Sequence, residues 1–212
     1  MRVTNEWVEI QAQTLTPFYY HGLYARDGSA THPDIITDTA LMFALQAALL
    51  PRLIPILRAT PDYRADLTKI PWRTSLLWGE NNDMMAPVRH TIDVEREGGN
   101  HENLQKNMAS GYFKKTFFVH EVAIGARYHG FILGINPFKL LKTDKFIIRI
   151  GVGRLGMLEI SRNDNLKAVR LNTATAKLFE RDLPEAYRII DTIRVSQPFS
   201  IGEARDELRH WV

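Results

Sequence analysis

Cysteine is absent from the 212 residues, which excludes a disulfide framework and thiolate metal sites and fits a reducing compartment. Long apolar runs are missing too. The richest, ALMFALQAALL (40–50), is too short to cross a bilayer and carries Gln46. The opening residues, MRVTNEWVEIQ, hold no apolar stretch of the secretory-signal kind. These features predict a soluble, cytoplasmic protein with no membrane partner. His32, His90 and His101 fall in no HxH or HExxH spacing and have no acidic cluster near them, so no metal site is expected. No Gly-x-Ser-x-Gly element occurs, which leaves hydrolase chemistry of that type without support.

Excess charge of either sign is small overall but unevenly placed. The net charge is +3. Residues 1–100 hold 9 Lys/Arg against 12 Asp/Glu, residues 101–170 hold 12 against 5, and residues 171–212 hold 6 against 7. One third of the chain therefore carries the whole positive excess. That is the footprint of a polyanion-binding face, or a solvated surface with clustered lysines.

Periodicity points to an α+β chain without repeats, closest to a ferredoxin-like (RRM-like) core with an extra sheet or hairpin. Residues 3–14 alternate apolar and polar as a first strand, stopped by Pro17. Residues 18–34 form an aromatic loop. IITDTALMFALQAALL predicts a buried helix over 35–50, capped by Asp34 or Thr37 and ended by Pro51. Strand-like stretches follow at 74–78, 88–95, 116–126, 129–135, 145–151, 157–161, 167–172 and 186–195. Residues 98–115 are polar and apolar-poor, as expected of a projecting loop or hairpin. Ser200 and Glu203 form the S-x-x-E box of a closing amphipathic helix.

FIIRIGVGRLGMLEIS (146–161) contains the G-x-G-x-x-G pattern at Gly151, Gly153 and Gly156. A dinucleotide fingerprint also needs a helix opening at the glycines and an acidic residue about twenty positions on. Here MLEISRNDN runs quickly into Asn-Asp-Asn, and the next strand-like segment ends in Asn172 and Thr173. No nucleotide cofactor is expected. Glycines that bare backbone N–H groups, flanked by Arg149 and Arg154, suit single-stranded RNA. They equally suit a tight turn that needs glycine for its dihedral angles.

The N-terminal strand, the aromatic loop, the ALMFAL helix and the late IRIGVGRLGMLEIS segment together resemble the RAMP superfamily of CRISPR-associated proteins. Within it the chain is most similar to the Cas-five family, of the small type I-D kind or its type IV equivalent. It departs from the family pattern at Met157, where a lysine is expected. The resemblance implies a single RAMP-type domain over 1–212 and a non-catalytic subunit of a class 1, Cascade-like surveillance complex in antiviral or anti-plasmid defence. Such a subunit holds the 5′ handle of the guide RNA and caps the filament of backbone subunits. Its implied partners are that RNA, the backbone RAMP subunit, the large subunit and target DNA.

The resemblance also implies a thumb, placed at 98–118, with Lys106, Lys114 and Lys115 for phosphates. Tyr112 and Phe113 would stack or wedge, or else begin an ordinary strand. The composition of this segment predicts mobility in the free protein and ordering on RNA. PFYYHGLYAR adds Tyr19, Tyr20, His21 and Arg26, a mixture suited to stacking bases or to packing on the first helix. Some family members cut repeat RNA without metal. Tyr19, Tyr20, His21, His120, His129 and Lys115 supply the residue types for that endoribonuclease alternative, at no diagnostic spacing. A plain interaction protein that docks partners through its helices is the third reading.

Overall fold

β1 (Glu6–Thr14) lies inside the main sheet, where strict alternation divides its side chains between two faces. Val8, Ile10, Ala12 and Thr14 are buried on the inner face, whereas Gln11 is exposed on the outer one. The computed structural model describes residues 6–20, 31–51, 62–93 and 114–211. β1 pairs antiparallel with β7 (Arg127–Gly134) on one side and β9 (Gly156–Arg162) on the other. β9 returns from β8 (Lys145–Ile150) as a hairpin. The central order β7-β1-β9-β8 leaves β8 parallel to β1 with β9 between them, which is the split βαβ layout of a ferredoxin-like sheet. The α+β expectation holds. β7 fills the place beside β1 although it precedes the β8–β9 hairpin in the chain. Beyond it the sheet is extended by β2 (Ile35–Ile36), β3 (Trp72–Thr74) and β4 (Leu77–Trp78), giving seven strands.

α1 (Asp38–Leu49) packs on the inner face against β3 and β8. Its Leu41, Met42 and Leu45 meet Ile10, Ile148, Leu158 and Ile160 in one core. Burial of each such aliphatic side chain contributes about 1.5–3 kcal/mol. Two residues expected to open this helix do not join it. Ile35 and Ile36 pair with Trp78 and Leu77 as β2, and the N-cap is Thr37, whose hydroxyl accepts the Ala40 amide at 3.2 Å.

Three other expected elements are subdivided. The strand read at 74–78 becomes β3 and β4, interrupted where the Ser75 hydroxyl accepts the Phe131 amide. The strand read at 186–195 is a hairpin of β11 (Glu185–Ile190) and β12 (Ile193–Ser196), because Asp191 and Thr192 turn the chain. The strand read at 116–126 is β6 (Lys114–Val119), then a bridge at Val122 and a turn at Gly125 (φ 85°). β6 pairs with β5 (Val88–Asp93) in a two-stranded ribbon separate from the main sheet.

The segment after β9 joins the same core through Val169, Leu171, Ala176, Phe179 and Trp211. α5 (Ile201–Leu208) begins at the expected capping box, with the Ser200 amide donating to Glu203 Oε2 at 2.9 Å. Short helices at Tyr63–Leu67 (α2), Pro137–Leu141 (α3) and Thr173–Leu178 (α4) complete the set. Fully buried Trp211 stacks on Phe179 and its carbonyl accepts from Arg73 Nε. Burial lowers the Arg73 pKa to about 10.

Candidate nucleic-acid interface

The segment Phe18–Tyr20 is held between two elements far apart in sequence. On one side the Val122 amide, at the base of the β5–β6 ribbon, donates to the Phe18 carbonyl at 2.8 Å. On the other the Val152 amide, in the glycine turn, donates to the Tyr19 carbonyl at 2.8 Å. Two stretches singled out from sequence, the aromatic segment and the glycine turn, thus meet beside the base of the β5–β6 ribbon.

The glycine turn joins two strands through a single 3-10 turn at Val152–Arg154, so no α-helix opens there for a dinucleotide. Gly151 and Gly153 have φ of 76° and 61°, a region glycine enters without penalty. Gly156 sits against Phe18, and a Cβ added there would stand 2.5 Å from Phe18 Cβ. Four amides of the turn are used internally: Val152 to Tyr19, Arg154 to Gly151, Leu155 to Val152, and Met157 to the Thr16 hydroxyl. What the turn offers outward is charge. Arg149 and Arg154 are exposed, form no ion pair among the described residues, and are coupled by a 2.7 Å bond from Arg149 Nε to the Arg154 carbonyl.

The aromatic segment faces mostly inward. Tyr19 is 9% exposed. Tyr20 packs against the core, edge-on to Phe18, and its buried phenol oxygen has no hydrogen-bond partner among the described residues. Burial, with Tyr128 close by, pushes the Tyr20 pKa far up. Lys114 and Lys115 stand at the end of the ribbon, opposite Asp93 and Ile92. His21, Arg26, Lys106, Tyr112 and Phe113, and the thumb segment up to residue 113, lie outside the described residues.

Of the residues of the endoribonuclease alternative, those described lie on several elements, and His21 lies outside the described residues. Tyr20 interacts with Tyr128 on the inner side of β7, and His129, the next residue, points to the outer side. His120 follows β6, with its Nε2 buried and unpartnered among the described residues. No group of three or more His, Cys, Asp or Glu residues that could hold a metal occurs among the described residues, and none of their helices is long and apolar enough to cross a membrane.

Sequence reading missed a second surface. On the outer face a cross-strand row runs Trp78, His129, Gln11, Ser161, Lys145 over β4, β7, β1, β9 and β8. A second row, Arg127, Gln13, Glu159, Ile147, lies beside it. All of these residues except Trp78 and Ile147 border an open cleft of about 670 Å³, which Glu80, Asn163 and residues 165–168 help to enclose. Farther along the same face Trp7 and Phe131 pack ring on ring, so the face changes from apolar to polar along its strands. The signal was present in EIQAQT (9–14): a central strand alternating with glutamine must leave one face wet.

Comparison with known proteins adds little to this geometry. No family model matches the chain and no curated protein matches it. Among solved structures it is similar to a chain in the cryo-EM structure of the Type III-B Cmr-beta bound to cognate target RNA, with TM-score 0.38 and 9% identity over 74% of this chain. A chain of the same complex bound to cognate target RNA and AMPPnP gives TM-score 0.38 and 11% identity over 74% of this chain. This chain spans 64% of the length of each.

Proposed function

We propose that this chain is a non-catalytic RNA-binding subunit of a class 1 CRISPR surveillance complex, in the manner of the Cas-five family. In this reading it holds the 5′ handle of the guide RNA and caps the backbone filament, beside a backbone RAMP subunit, the large subunit and target DNA. The observation that carries the reading is the meeting of the Phe18–Tyr20 segment, the β5–β6 ribbon and the glycine turn at one place, with Arg149 and Arg154 exposed there. The sequence resemblance to the family supports it independently. Arginines anchored on a rigid turn suit a phosphate backbone, because their positions are set before the ligand arrives. Binding is preferred to RNA cleavage because proton transfer requires acid and base within reach of one phosphate, and the tyrosines, histidines and lysine of that alternative stand at no diagnostic spacing in the sequence.

The test is fluorescence anisotropy with labelled single-stranded repeat RNA, a scrambled RNA of equal length and duplex DNA. Preferential binding of the repeat strand, without cleavage, is expected. Absence of binding to any single-stranded RNA at low salt would overturn the reading.

A further inference from the structure

Several of the polar side chains that line the outer-face cleft have no hydrogen-bond partner among the described residues. Gln11, Gln13, His129, Ser161 and Asn165 make no side-chain hydrogen bond among the described residues. Four of them stand on neighbouring rungs of β7, β1 and β9, where directly opposed side chains are about 4.5–5.5 Å apart. Strand positions hold these groups more firmly than loops would. The two glutamines and Asn165 each present a carbonyl acceptor and an NH₂ donor in one plane, Ser161 adds a hydroxyl, and His129 adds one donor and one acceptor while its ring is neutral. Burial pushes the His129 pKa down, outweighing the nearby Glu80, and so favours the neutral ring.

Charge at the rim is divided. Lys145 is paired with Glu159 at 3.0 Å, whereas Arg127, Lys167 and Glu80 form no ion pair among the described residues, which leaves two cations against one carboxylate. Trp78, the aromatic of the row, does not line the cleft, and the Arg170 guanidinium lies over its ring 4.7 Å from the ring centre. A ligand for this cleft is therefore polar, flat and lined with both donors and acceptors on its edge, and it carries an anion toward the rim. A lipid or an aliphatic chain lacks the first property, and a sugar lacks the flatness and the anion.

We propose that the cleft seats one unpaired nucleotide, its base edge read by Gln11, Gln13, Ser161 and His129 and its phosphate directed to Arg127 and Lys167. The proposal rests on the RNA-binding reading only for the source of that nucleotide; the seat is separate from the glycine turn. Edge recognition without stacking gives weak affinity for a single nucleotide and makes the cleft a reader of base identity within a strand bound mainly elsewhere.

Two-dimensional ¹H–¹⁵N spectra of the intact protein, recorded with millimolar AMP, GMP, CMP and UMP in turn, test this. The side-chain NH₂ signals of Gln11 and Gln13 and the Ser161 amide should shift, to different extents for different bases. Ribose 5-phosphate should leave the glutamine signals in place. The double substitution Gln11→Ala, Gln13→Ala should weaken the preferred nucleotide about tenfold, as expected for losing one or two hydrogen bonds, with an unchanged melting temperature. Single substitutions serve as the second variant if the double one fails to fold. Silence of the cleft signals, or equal shifts with ribose 5-phosphate, would overturn the proposal. If repeat RNA still binds through Arg149 and Arg154 while the cleft stays silent, the cleft falls and the RNA-binding reading stands. If nucleotides move the cleft but no RNA strand binds, the outcome is reversed.

Discussion

The Tyr19 carbonyl oxygen would lie 2.9 Å from a Cβ placed on Gly151, closer than ordinary van der Waals packing allows. The same oxygen accepts the Val152 amide, so it cannot retreat without breaking the bond that docks the turn. Gly151→Ala should therefore destabilise the fold by about 1–3 kcal/mol, through the strained backbone and the clash together. Gly153→Ala meets only the Leu155 side chain at 3.6 Å and should cost about 1 kcal/mol, for the backbone alone. Urea melts of the two variants side by side check the ranking.

Arg154→Glu should weaken binding of repeat RNA by about tenfold at low salt. The slope of log affinity against log salt should fall by about one for each phosphate that the protein no longer neutralises. Folding should be unaffected, because Arg154 is exposed and the bond it forms with Arg149 uses its backbone carbonyl. Anisotropy titrations at several salt concentrations measure both quantities. Unchanged affinity and slope would leave the turn a purely structural element.

Asp38, fully buried at the start of α1, has its pKa raised to about 6 by burial, against a hydrogen bond from Asn172 Nδ2 at 3.0 Å that favours the charged form. Its Oδ2 has no partner within hydrogen-bond distance among the described residues. The folded state thus keeps a proton that the unfolded chain, at its ordinary carboxylate pKa, has already released. The stabilising contribution is fully present below about pH 4 and is lost as pH rises through about 6, a change on the order of 3 kcal/mol. Asp38→Asn retains the carbonyl that accepts from Asn172. It should be more stable than the parent at neutral pH, with the difference shrinking toward about pH 4. Thermal melts across that range decide it.

Trp211→Ala should cost about 3–5 kcal/mol, the usual result of emptying a fully buried tryptophan site. The ring stacks on Phe179 at 5.9 Å, and its indole N–H donates to Glu207 at 3.1 Å, while Glu207 also receives a bidentate pair from Arg181. A urea midpoint near the parent value would mean that the C-terminal segment docks without it.

Elements with long, regular patterns were legible in the sequence. β1 and α1 fall within three residues of where alternation and the apolar helix pattern place them, and Ser200 and Glu203 form the capping box that their spacing predicts. Shorter elements were less so. α2 and α4 span five and six residues, too few for a helical repeat to stand out. Ile35 and Ile36 read as helix because nothing local distinguishes two isoleucines in a two-residue strand from the first turn of a helix. Their partner, Leu77–Trp78, is about forty residues away. The candidate site divided along the same line. Arg149, Arg154 and the glycines announced themselves as a motif, whereas Gln11, Ser161 and His129 become neighbours only through strand pairing.

The alternation of β1 has a consequence for how the chain finds its register. Its neighbours β7 and β9 fix both edges, and the side-chain period of two means that a slip by one residue exchanges the faces. Such a slip would drive Glu9, Gln11 and Gln13 under α1 and turn Val8, Ile10 and Ala12 out to water. Each misplaced polar group would cost about 1–3 kcal/mol unpaired. The glutamines therefore act during assembly as a key that fits one alignment of three strands and rejects its nearest neighbours, whatever later occupies the surface they form.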